Sequence, residues 1–432
     1  MVTRRASLGK LHDNVLVTDT DGYVGALSVL RSLGRRNVAT TLLTQESLVP
    51  SLFSRWHPER VNCPSSFDDS PGFLMNLLRI VKTRRYITIF PMGDHSLILI
   101  SQHRDRLMPY LKLALPSHES VMNALNKGNT LKMGEGIGIP TPQTFQARNI
   151  AEVKDISTKI QYPAVIKPKW SIVWKQNAKA LYSRPSYVNS ASELLSTYAK
   201  IDENFPAPLI QEYVPGYNIS VALMFDRGEP KAACFIRVYR TMPITGGASV
   251  LRESIPPDPT LLRYASNLLK SMHWHGIAEV EFRVDSRDST PKLMEINPRF
   301  WGSMNVAIES GVYFPHLLYL ITKGEQIRPV FNYKIGVKFR QLNLDFQNLG
   351  LTLKGEPKLI NTKSPNKLNA VLRFLKFYEK NMHYDGFTLF DPLPFFKGEA
   401  DFAYGTTKNM IPRKRLRIQH SAKARARWYS DT

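Results

Sequence analysis

The segment LMEINPRFWGS, residues 293–303, carries an acid, an amide and a guanidinium at alternate positions, namely Glu295, Asn297 and Arg299. Side chains two positions apart in a β-strand lie on the same face. As a strand, the segment therefore directs these three polar groups to one face and the apolar residues between them to the other. Two interpretations follow: a half-exposed strand with polar residues in water, or a chemical site.

A second strand pattern, residues 276–285, precedes this segment, and the stretch between the two is rich in Ser, Asp and Pro, which favour turns. An antiparallel hairpin of the two strands sets Glu281 opposite Glu295 and Glu279 opposite Asn297. Directly opposed like charges in a sheet are destabilising. Three carboxylates and an amide on one patch therefore need a compensating charge.

A divalent cation would supply that charge. Oxygen ligands without His or Cys suit Mg²⁺ or Mn²⁺, and Mg²⁺ is commonly shared with substrate phosphates. The alternative is a solvent-facing cluster with Arg283 and Arg299 as ion-pair partners. The residue pattern alone leaves both open.

Composition indicates a globular protein of two to four subdomains, with 432 residues and 43% hydrophobic content. No apolar run approaches the ~18–20 residues that span a bilayer, and the N-terminus lacks the apolar region of a secretory signal. Cys63 and Cys234 have no metal or redox spacing. A reduced, cytoplasmic protein without a membrane span is the expectation.

Basic residues dominate the charge, with a formal net charge of +22 and runs at 413–428 and 79–85. Such runs bind nucleic acid or anionic membranes in some proteins. A solvated C-terminal tail is the favoured interpretation, with nucleic-acid binding through it as the alternative. A basic surface also suits an enzyme that handles polyphosphate.

The N-terminal part has the β-α-β pattern of a parallel sheet. Strands are predicted at 14–19, 37–44, 86–94 and 111–116, with a helix that ends at Gly34. The turn DTDGYVG lacks the G-x-G-x-x-G spacing of dinucleotide-binding proteins, so NAD or FAD binding is not predicted.

Helices and strands alternate less regularly from residue 127 onward, and there is no internal repeat. Helices are predicted at 127–138, 190–201, 259–272 and 314–324, and strands at 162–170, 208–229 with a break at Pro215–Gly216, 276–285 and 292–300. Elements beyond about residue 331 are harder to predict, although 387–396 has an ordered pattern.

Two lysines have positions that suit phosphate binding. Lys167 closes an apolar strand, and Lys127 begins a helix, where backbone N–H groups favour anions. Each is also compatible with an ordinary surface lysine. The loop TGGAS, residues 245–249, lies near Arg240 and Arg252 and is either a mobile cover over a reacting centre or an ordinary hairpin loop.

These segments, taken in order, resemble the ATP-grasp superfamily, and most of all the carboxylate–amine ligase branch similar to the carbamoyl-phosphate synthase large subunit and biotin carboxylase. The resemblance covers residues 14–330 and is carried by NKGNTLKMGEGIGIPTP, VIKPKWS, LIQEYVPG, TGGASVLRES, GIAEVEF and LMEINPRFWGS. MEINPRFWGS after VEF is the most specific part.

The resemblance implies roles for matching residues. Lys127 and Lys167 correspond to lysines that hold ATP phosphates, and Arg299 to the arginine that steadies the transferred phosphoryl group. The remaining implied or associated residues are Glu212, Tyr213 and Val214 for adenine, Glu281, Glu295 and Asn297 for two Mg²⁺ (or Mn²⁺) ions, and Arg240 and Arg252 near the reacting centre.

Two departures from the family pattern stand out. No glycine occurs between Gly138 and Gly216, where many relatives have a phosphate-covering loop, so Lys169, Ser171 and Lys175 are the candidates to replace it. Many relatives also hold the ribose with an acid, and this chain has Asn218 there.

The expected architecture is α/β, with an α+β ATP-binding part. It comprises an N-terminal tail (1–13), a Rossmann-like pre-ATP-grasp domain (14–118), the small lobe (119–205) and large lobe (206–330) of an ATP-grasp fold, a C-terminal extension (331–411) and a basic tail (412–432).

The implied reaction joins a small carboxylate to an amine through an acyl phosphate, with release of ADP and phosphate. Bicarbonate activation is a rival within the fold, and a non-catalytic ATP-binding protein that uses the basic tail is a rival of another class. The resemblance also allows a homodimer.

Overall fold

The computed structural model describes residues 14–19, 25–56, 58–170, 172–174, 180–182, 185–355 and 366–410. Both predicted tails, 1–13 and 412–432, lie outside these ranges, as do Ser171 and Lys175.

The N-terminal domain is built on a parallel sheet of strand order β3-β2-β1-β4, which confirms the predicted Rossmann-like opening. Its elements are β1 Val15–Thr18, α1 Gly25–Gly34, β2 Thr40–Thr44, a 3₁₀ turn Pro50–Phe53, β3 Glu59–Asn62, α2 Ser70–Thr83, β4 Thr88–Phe90, α3 Asp94–Gln102, α4 Arg104–Leu107 and α5 His118–Leu125.

The predicted strand at 111–116 is wrong apart from one residue, because only Lys112 pairs, in an isolated parallel bridge with Thr88. Leu111 and Leu115 are buried in the core by packing without a ladder of backbone hydrogen bonds. The apolar pattern of residues 111–116 therefore reflects burial in the core and does not indicate a β-strand. Strand β3 was not predicted because its residues, ERVN, are mostly exposed and lack an apolar period.

The predicted small lobe has an antiparallel sheet of order β5-β10-β6-β9 and a separate two-stranded hairpin, β7-β8. Strand β10, at 209–212, falls in the range predicted for the large lobe, but it pairs with β5 and β6 and therefore belongs to this sheet. Its elements are α6 Lys127–Gly136, β5 Thr144–Gln146, α7 Ile150–Ser157, β6 Ala164–Lys167, β7 Ile172–Trp174, β8 Ala180–Tyr182, β9 Ser186–Val188, α8 Ala191–Asp202 and β10 Leu209–Glu212.

The large lobe is a seven-stranded sheet of order β15-β14-β11-β12-β13-β16-β17. Its elements, with those that follow, are β11 Gly216–Asp226, β12 Glu229–Met242, β13 Ala248–Ile255, α9 Pro259–Ser271, β14 Gly276–Asp285, β15 Pro291–Asn297, α10 Met304–Glu309, α11 Phe314–Lys323, β16 Lys338–Arg340, α12 Leu342–Lys354, α13 Lys367–Phe374, β17 Met382–Tyr384 and α14 Leu393–Met410.

The two faces of this sheet bury different cores, as the period of two along its strands requires. Met224 and Cys234 belong to a core shared with helix α1 of the N-terminal domain. Leu223 and Phe235 belong to a second core shared with helix α9. The large sheet is therefore covered on both sides, and its central strands are held rigidly.

Strands β16 and β17 add the segment after residue 331 to the large-lobe sheet. Buried ion pairs reinforce this attachment: Arg31 with Asp391 at 2.8 Å, and Arg252 with Asp385. Among the described helices, none is long and apolar enough to cross a membrane.

Candidate active site

Strands β14 and β15 form the predicted hairpin, and its register is confirmed. Glu281 lies opposite Glu295, and Glu279 lies opposite Asn297. A bulge follows Glu281 and shifts the register by one residue toward the turn. Because the bulge lies on the turn side of the acids, their pairing on one face is preserved.

Hydrogen bonds connect the polar groups on this face. The Asn297 amide donates from Nδ2 to Glu279 Oε2 at 3.1 Å and to Glu281 Oε1 at 2.8 Å. Ser303 Oγ donates to Glu279 Oε1 at 3.2 Å. Glu279 is 5% exposed. Glu279 thus orients the Asn297 amide, and Ser303 in turn holds the Glu279 carboxylate. Ser303 was not predicted as a site residue.

The clustered carboxylates have perturbed protonation. Burial, followed by the charges of Glu295 and Glu279, raises the pKa of Glu281 well above its ordinary value. Burial also raises the pKa of Glu279, against opposing hydrogen bonds from Ser220, Asn297 and Ser303. Without a cation, this face therefore favours retention of a proton.

Two lysines from the small lobe reach the same face. Lys127 Nζ lies 3.1 Å from Glu295 Oε2. Lys167 Nζ donates to Gln211 Oε1 at 2.8 Å. Partial burial alone would raise the pKa of Glu295, but the charges of Lys127 and Lys167 lower it below the ordinary value. The structure thus brings together the two lysines and the carboxylates that the sequence places more than 100 residues apart.

Lys167 is half-buried at this face. Burial lowers its pKa to about 8, against the opposing charge of Glu295. Lys127 begins α6, whose N-terminus is capped by Asn126 Oδ1, 3.2 Å from the Asn129 N–H. The backbone N–H of Lys127 donates to the Lys169 carbonyl at 3.0 Å, so the segment after β6 lies against the start of α6.

Arg299 lies two residues after Asn297, the last residue of β15. Its Nε lies 2.6 Å from Asp94 Oδ1, at the start of α3 in the N-terminal domain. Asp94 was not predicted as a site residue. The available signal was its position, because it follows β4 at the carboxyl edge of a parallel sheet, where functional groups of α/β proteins collect.

The predicted adenine-binding segment follows β10. The Glu212 carboxylate is engaged by Lys292 Nζ at 2.6 Å, by Arg287 Nη2 at 3.1 Å and by the Gln143 N–H at 3.1 Å. Although burial opposes it, these contacts lower the pKa of Glu212. The carboxylate therefore anchors the strand end that leads into Tyr213 and Val214.

Arg283 connects the rest of this segment to the large lobe. Its Nε donates to the Val214 carbonyl at 2.5 Å and its Nη1 donates to Asn218 Oδ1 at 2.8 Å. Its guanidinium also lies 5.8 Å from the Tyr213 ring centroid. The sequence offered Arg283 only as an ion-pair partner for the acids, whereas in the structure it donates to the Val214 carbonyl and to Asn218.

Arg240 and Arg252 have guanidinium groups engaged by the C-terminal part of the chain. Arg240 forms a two-pronged pair with Asp345 at 2.8 and 2.7 Å. Arg252 is buried, pairs with Asp385, and donates to the Gly302 carbonyl at 3.2 Å. A catalytic role for these two arginines stays a prediction. Both guanidinium groups are already engaged by carboxylates of the C-terminal part.

The loop TGGAS joins β12 to β13 and contacts the small lobe. The Tyr187 hydroxyl on β9 donates to the Thr245 carbonyl. Burial raises the pKa of Tyr187. The loop therefore contacts both lobes, a position that suits the predicted cover.

The oxygen atoms on this face supply part of a ligand set for Mg²⁺ or Mn²⁺. Within the described ranges, no three His, Cys, Asp or Glu side chains converge closely enough to hold a metal ion. Glu281 and Glu295 with Asn297 offer two carboxylates and an amide, all oxygen donors once the amide is turned. Such a set suits a cation that takes its remaining ligands from phosphates and water.

Sequence comparison supports the resemblance. Residues 204–343 match the family model described as ATP-grasp in the biosynthetic pathway with Ter operon. The carbamoyl phosphate synthase large chain of Caldanaerobacter subterraneus is 22% identical over 311 residues, 68% of this chain and 27% of that protein. The D-aspartate ligase of Enterococcus faecium is 22% identical over 275 residues, 59% of this chain and 63% of that protein.

Structural comparison agrees. The biotin carboxylase–beta-gamma-ATP complex from Campylobacter jejuni superposes with a TM-score of 0.61 at 15% identity, covering 76% of this chain and 74% of that chain. The fold is therefore that of the ATP-grasp enzymes, as predicted. The chain contains an ATP-grasp domain, and it spans only 27% of the carbamoyl phosphate synthase large chain that it matches.

Proposed function

We propose that this protein is an ATP-dependent carboxylate–amine ligase that forms an amide bond through an acyl phosphate. The observation that carries the proposal is the convergence of Lys127 from the small lobe with Glu281, Glu295 and Asn297 from one hairpin of the large lobe. The similarity to a D-aspartate ligase supports the choice of a carboxylate and an amine as substrates.

The first step transfers the γ-phosphoryl group. A carboxylate oxygen of the substrate attacks the γ-phosphorus, the bond to the bridging oxygen breaks, and ADP leaves. Such a transfer requires positioning and neutralisation of charge from the protein. Lys127 and Lys167 would hold the phosphates, and Arg299 would steady the transferred group in an orientation set by Asp94.

In the second step the amine attacks the acyl carbon, inorganic phosphate leaves, and the amine loses a proton. Glu281, Glu295 and Asn297 would hold two Mg²⁺ or Mn²⁺ ions, which supply Lewis-acid neutralisation of the phosphate charge when bound. Glu279 and Ser303 keep the Asn297 amide in place. No enzyme nucleophile is required.

Nucleotide recognition belongs to the segment after β10. Tyr213 and Val214 would receive the adenine. Asn218, held by its hydrogen bond from Arg283, would approach the ribose. Lys169 is the described candidate to contact phosphates where relatives have a glycine-rich loop. The companion candidate Ser171 lies outside the described residues.

The test is ADP release from Mg²⁺-ATP with a panel of amino acids and small carboxylates, singly and in pairs. Release that needs both a carboxylate and an amine is expected, and Glu295→Gln should abolish it. The matched control is Glu229→Gln, because Glu229 is an exposed carboxylate in a 3.7 Å surface pair with Lys270. Release with bicarbonate alone would instead indicate carboxyphosphate chemistry, and ATP binding without any release would contradict the ligase proposal.

A further inference from the structure

Helix α13 presents an apolar face to solvent. Leu368, Leu372 and Leu375 are 66%, 52% and 56% exposed, and no residue of the helix is buried. Their spacing of four and three residues places them on one side of the helix. Phe377 and Tyr378 follow directly, and both rings are also exposed. Contiguous apolar exposure of this kind marks an interaction surface.

The helix is firmly attached by its other side. Phe374 contacts Phe346 of α12, with ring centroids 6.2 Å apart. Buried Arg340 donates to the Phe374 carbonyl at 2.6 Å and to the Lys376 carbonyl at 3.2 Å, which satisfies the C-terminal carbonyls of the helix. The leucines are therefore exposed on a helix whose opposite side is fixed to the rest of the protein.

Positive charges flank this face. Lys367, Arg373, Lys376 and Lys380 are all exposed. The neighbouring acid, Glu379, is neutralised by Lys338 at 2.7 Å. The surface thus combines aliphatic side chains, aromatic rings and basic residues. This combination is characteristic of helices that lie in the interface of an anionic membrane.

We propose that the outer face of α13 docks this protein onto an anionic lipid membrane as a peripheral contact. The leucines enter the acyl boundary, Tyr378 lies at the headgroup level, and the basic residues meet lipid phosphates. A second copy of the chain fits less well, because a two-fold contact would bring two copies of the same basic surface together. The inference is independent of the ligase reaction.

The sequence after α14 adds charge of the same sign. It contains Arg413, Lys414, Arg415, Arg417, Lys423, Arg425 and Arg427 against Asp431. Because polybasic segments strengthen interfacial binding but insert no apolar group, contributions from this segment and from α13 can be measured separately.

The experiment is cosedimentation of the full chain with phosphatidylcholine vesicles that contain or lack phosphatidylserine. Binding only to the phosphatidylserine vesicles is expected. Leu372→Asp should weaken it at least about ten-fold, since an acid replaces an inserted leucine. Replacing Arg373 and Lys376 with Gln should weaken it about five-fold for each charge removed. Each variant should keep the wild-type melting temperature, because the altered side chains are exposed.

The matched control is Leu48→Asp, because Leu48 is a leucine of similar exposure, 61%, in the N-terminal domain. It should leave vesicle binding unchanged. Three results would overturn the proposal: no binding of the wild-type chain, equal loss in the Leu48 and Leu372 variants, or binding abolished by ending the chain at Met410 but unaffected by Leu372→Asp. Self-association that Leu372→Asp abolishes, without vesicle binding, would assign the face to a second copy.

Discussion

The position of Glu281 suits a cation ligand but lowers the stability of the folded protein. Its carboxylate faces Glu295 and contacts Asn297, and burial with these neighbours raises its pKa. A carboxyl with a raised pKa in the folded state binds a proton more tightly than in the unfolded state. The protein therefore loses stability as the pH rises above the pKa of the unfolded carboxyl.

Replacing this group with an uncharged amide should expose the conflict. We expect Glu281→Gln to raise the free energy of unfolding by about 1–2 kcal/mol at neutral pH without divalent cations, while ADP release falls more than about a hundred-fold. Chemical denaturation and a coupled ADP assay measure the two effects. Loss of stability in this variant would contradict the electrostatic argument, and unchanged turnover would exclude a cation-binding role for Glu281.

Lys167 predicts a pH dependence of nucleotide binding. Its pKa of about 8 means that the free protein loses this positive charge as the pH rises through that value. The affinity for ATP should then fall about ten-fold between roughly pH 7 and pH 9. Titration calorimetry across that range measures it. Lys167→Arg should remove the decline, because a guanidinium stays charged, and an equal decline in the variant would assign it elsewhere.

At the scale of elements, the link between β10 and β11 depends on Gly216. Its φ of +136° is rarely adopted by other residues, and a Cβ there would lie 1.9 Å from the Val284 carbonyl oxygen. The conformation lets β11 pair with β14 directly after the predicted adenine-binding residues Tyr213 and Val214. Glycine is therefore required both for this sheet pairing and for the position of Tyr213 and Val214.

The substitution Gly216→Ala should lower the free energy of unfolding by at least about 3 kcal/mol, because the backbone of β14 must move. Gly228, in the turn after β11, is the control: its φ is +86°, but a Cβ would meet no atom within 4 Å. Gly228→Ala should cost only about 1 kcal/mol. Urea denaturation distinguishes them, and equal effects would refute the steric argument.

The hairpin of β14 and β15 is the element on which sequence reasoning was most informative. The same-face arrangement of Glu281 with Glu295 and of Glu279 with Asn297 follows from a two-residue period and a recognisable turn. The bulge after Glu281 was not foreseen, since one extra residue on a strand leaves no compositional sign. It caused no error only because it lies beyond the acids.

At the scale of the whole molecule, buried ion pairs fasten the C-terminal part to the domains before it. Asp391 accepts from Arg31 Nε and Ser54 Oγ, each at 2.8 Å. Arg252, which is 1% exposed, pairs with Asp385. Removing one partner of a buried pair leaves an uncompensated charge, which is expensive in a low-dielectric interior.

We therefore expect Asp385→Ala to lower the free energy of unfolding by about 3–5 kcal/mol. The double change Arg252→Met with Asp385→Leu should recover most of that loss, because no lone charge remains. Glu229→Gln, at an exposed pair, should change stability by less than about 0.5 kcal/mol. Thermal or urea unfolding measures all three, and a negligible effect of Asp385→Ala would show that the extension is only loosely attached.

The sequence by itself determined the local elements and the resemblance. The register of the acids, the helix start at Lys127 and the strand end at Lys167 follow from short-range periods and caps. Such features depend on neighbours within a few residues, so one sequence contains them. The ATP-grasp fold followed from motifs in a characteristic order.

Only the tertiary structure decided which distant groups meet. It paired Arg299 with Asp94, turned Arg283 to the Val214 carbonyl, and engaged Arg240 and Arg252 with Asp345 and Asp385. A charged side chain has many possible partners in a long chain. Its actual partner depends on how sheets and helices pack, which no local pattern encodes. The same packing leaves the leucines of α13 outside every core of the described structure.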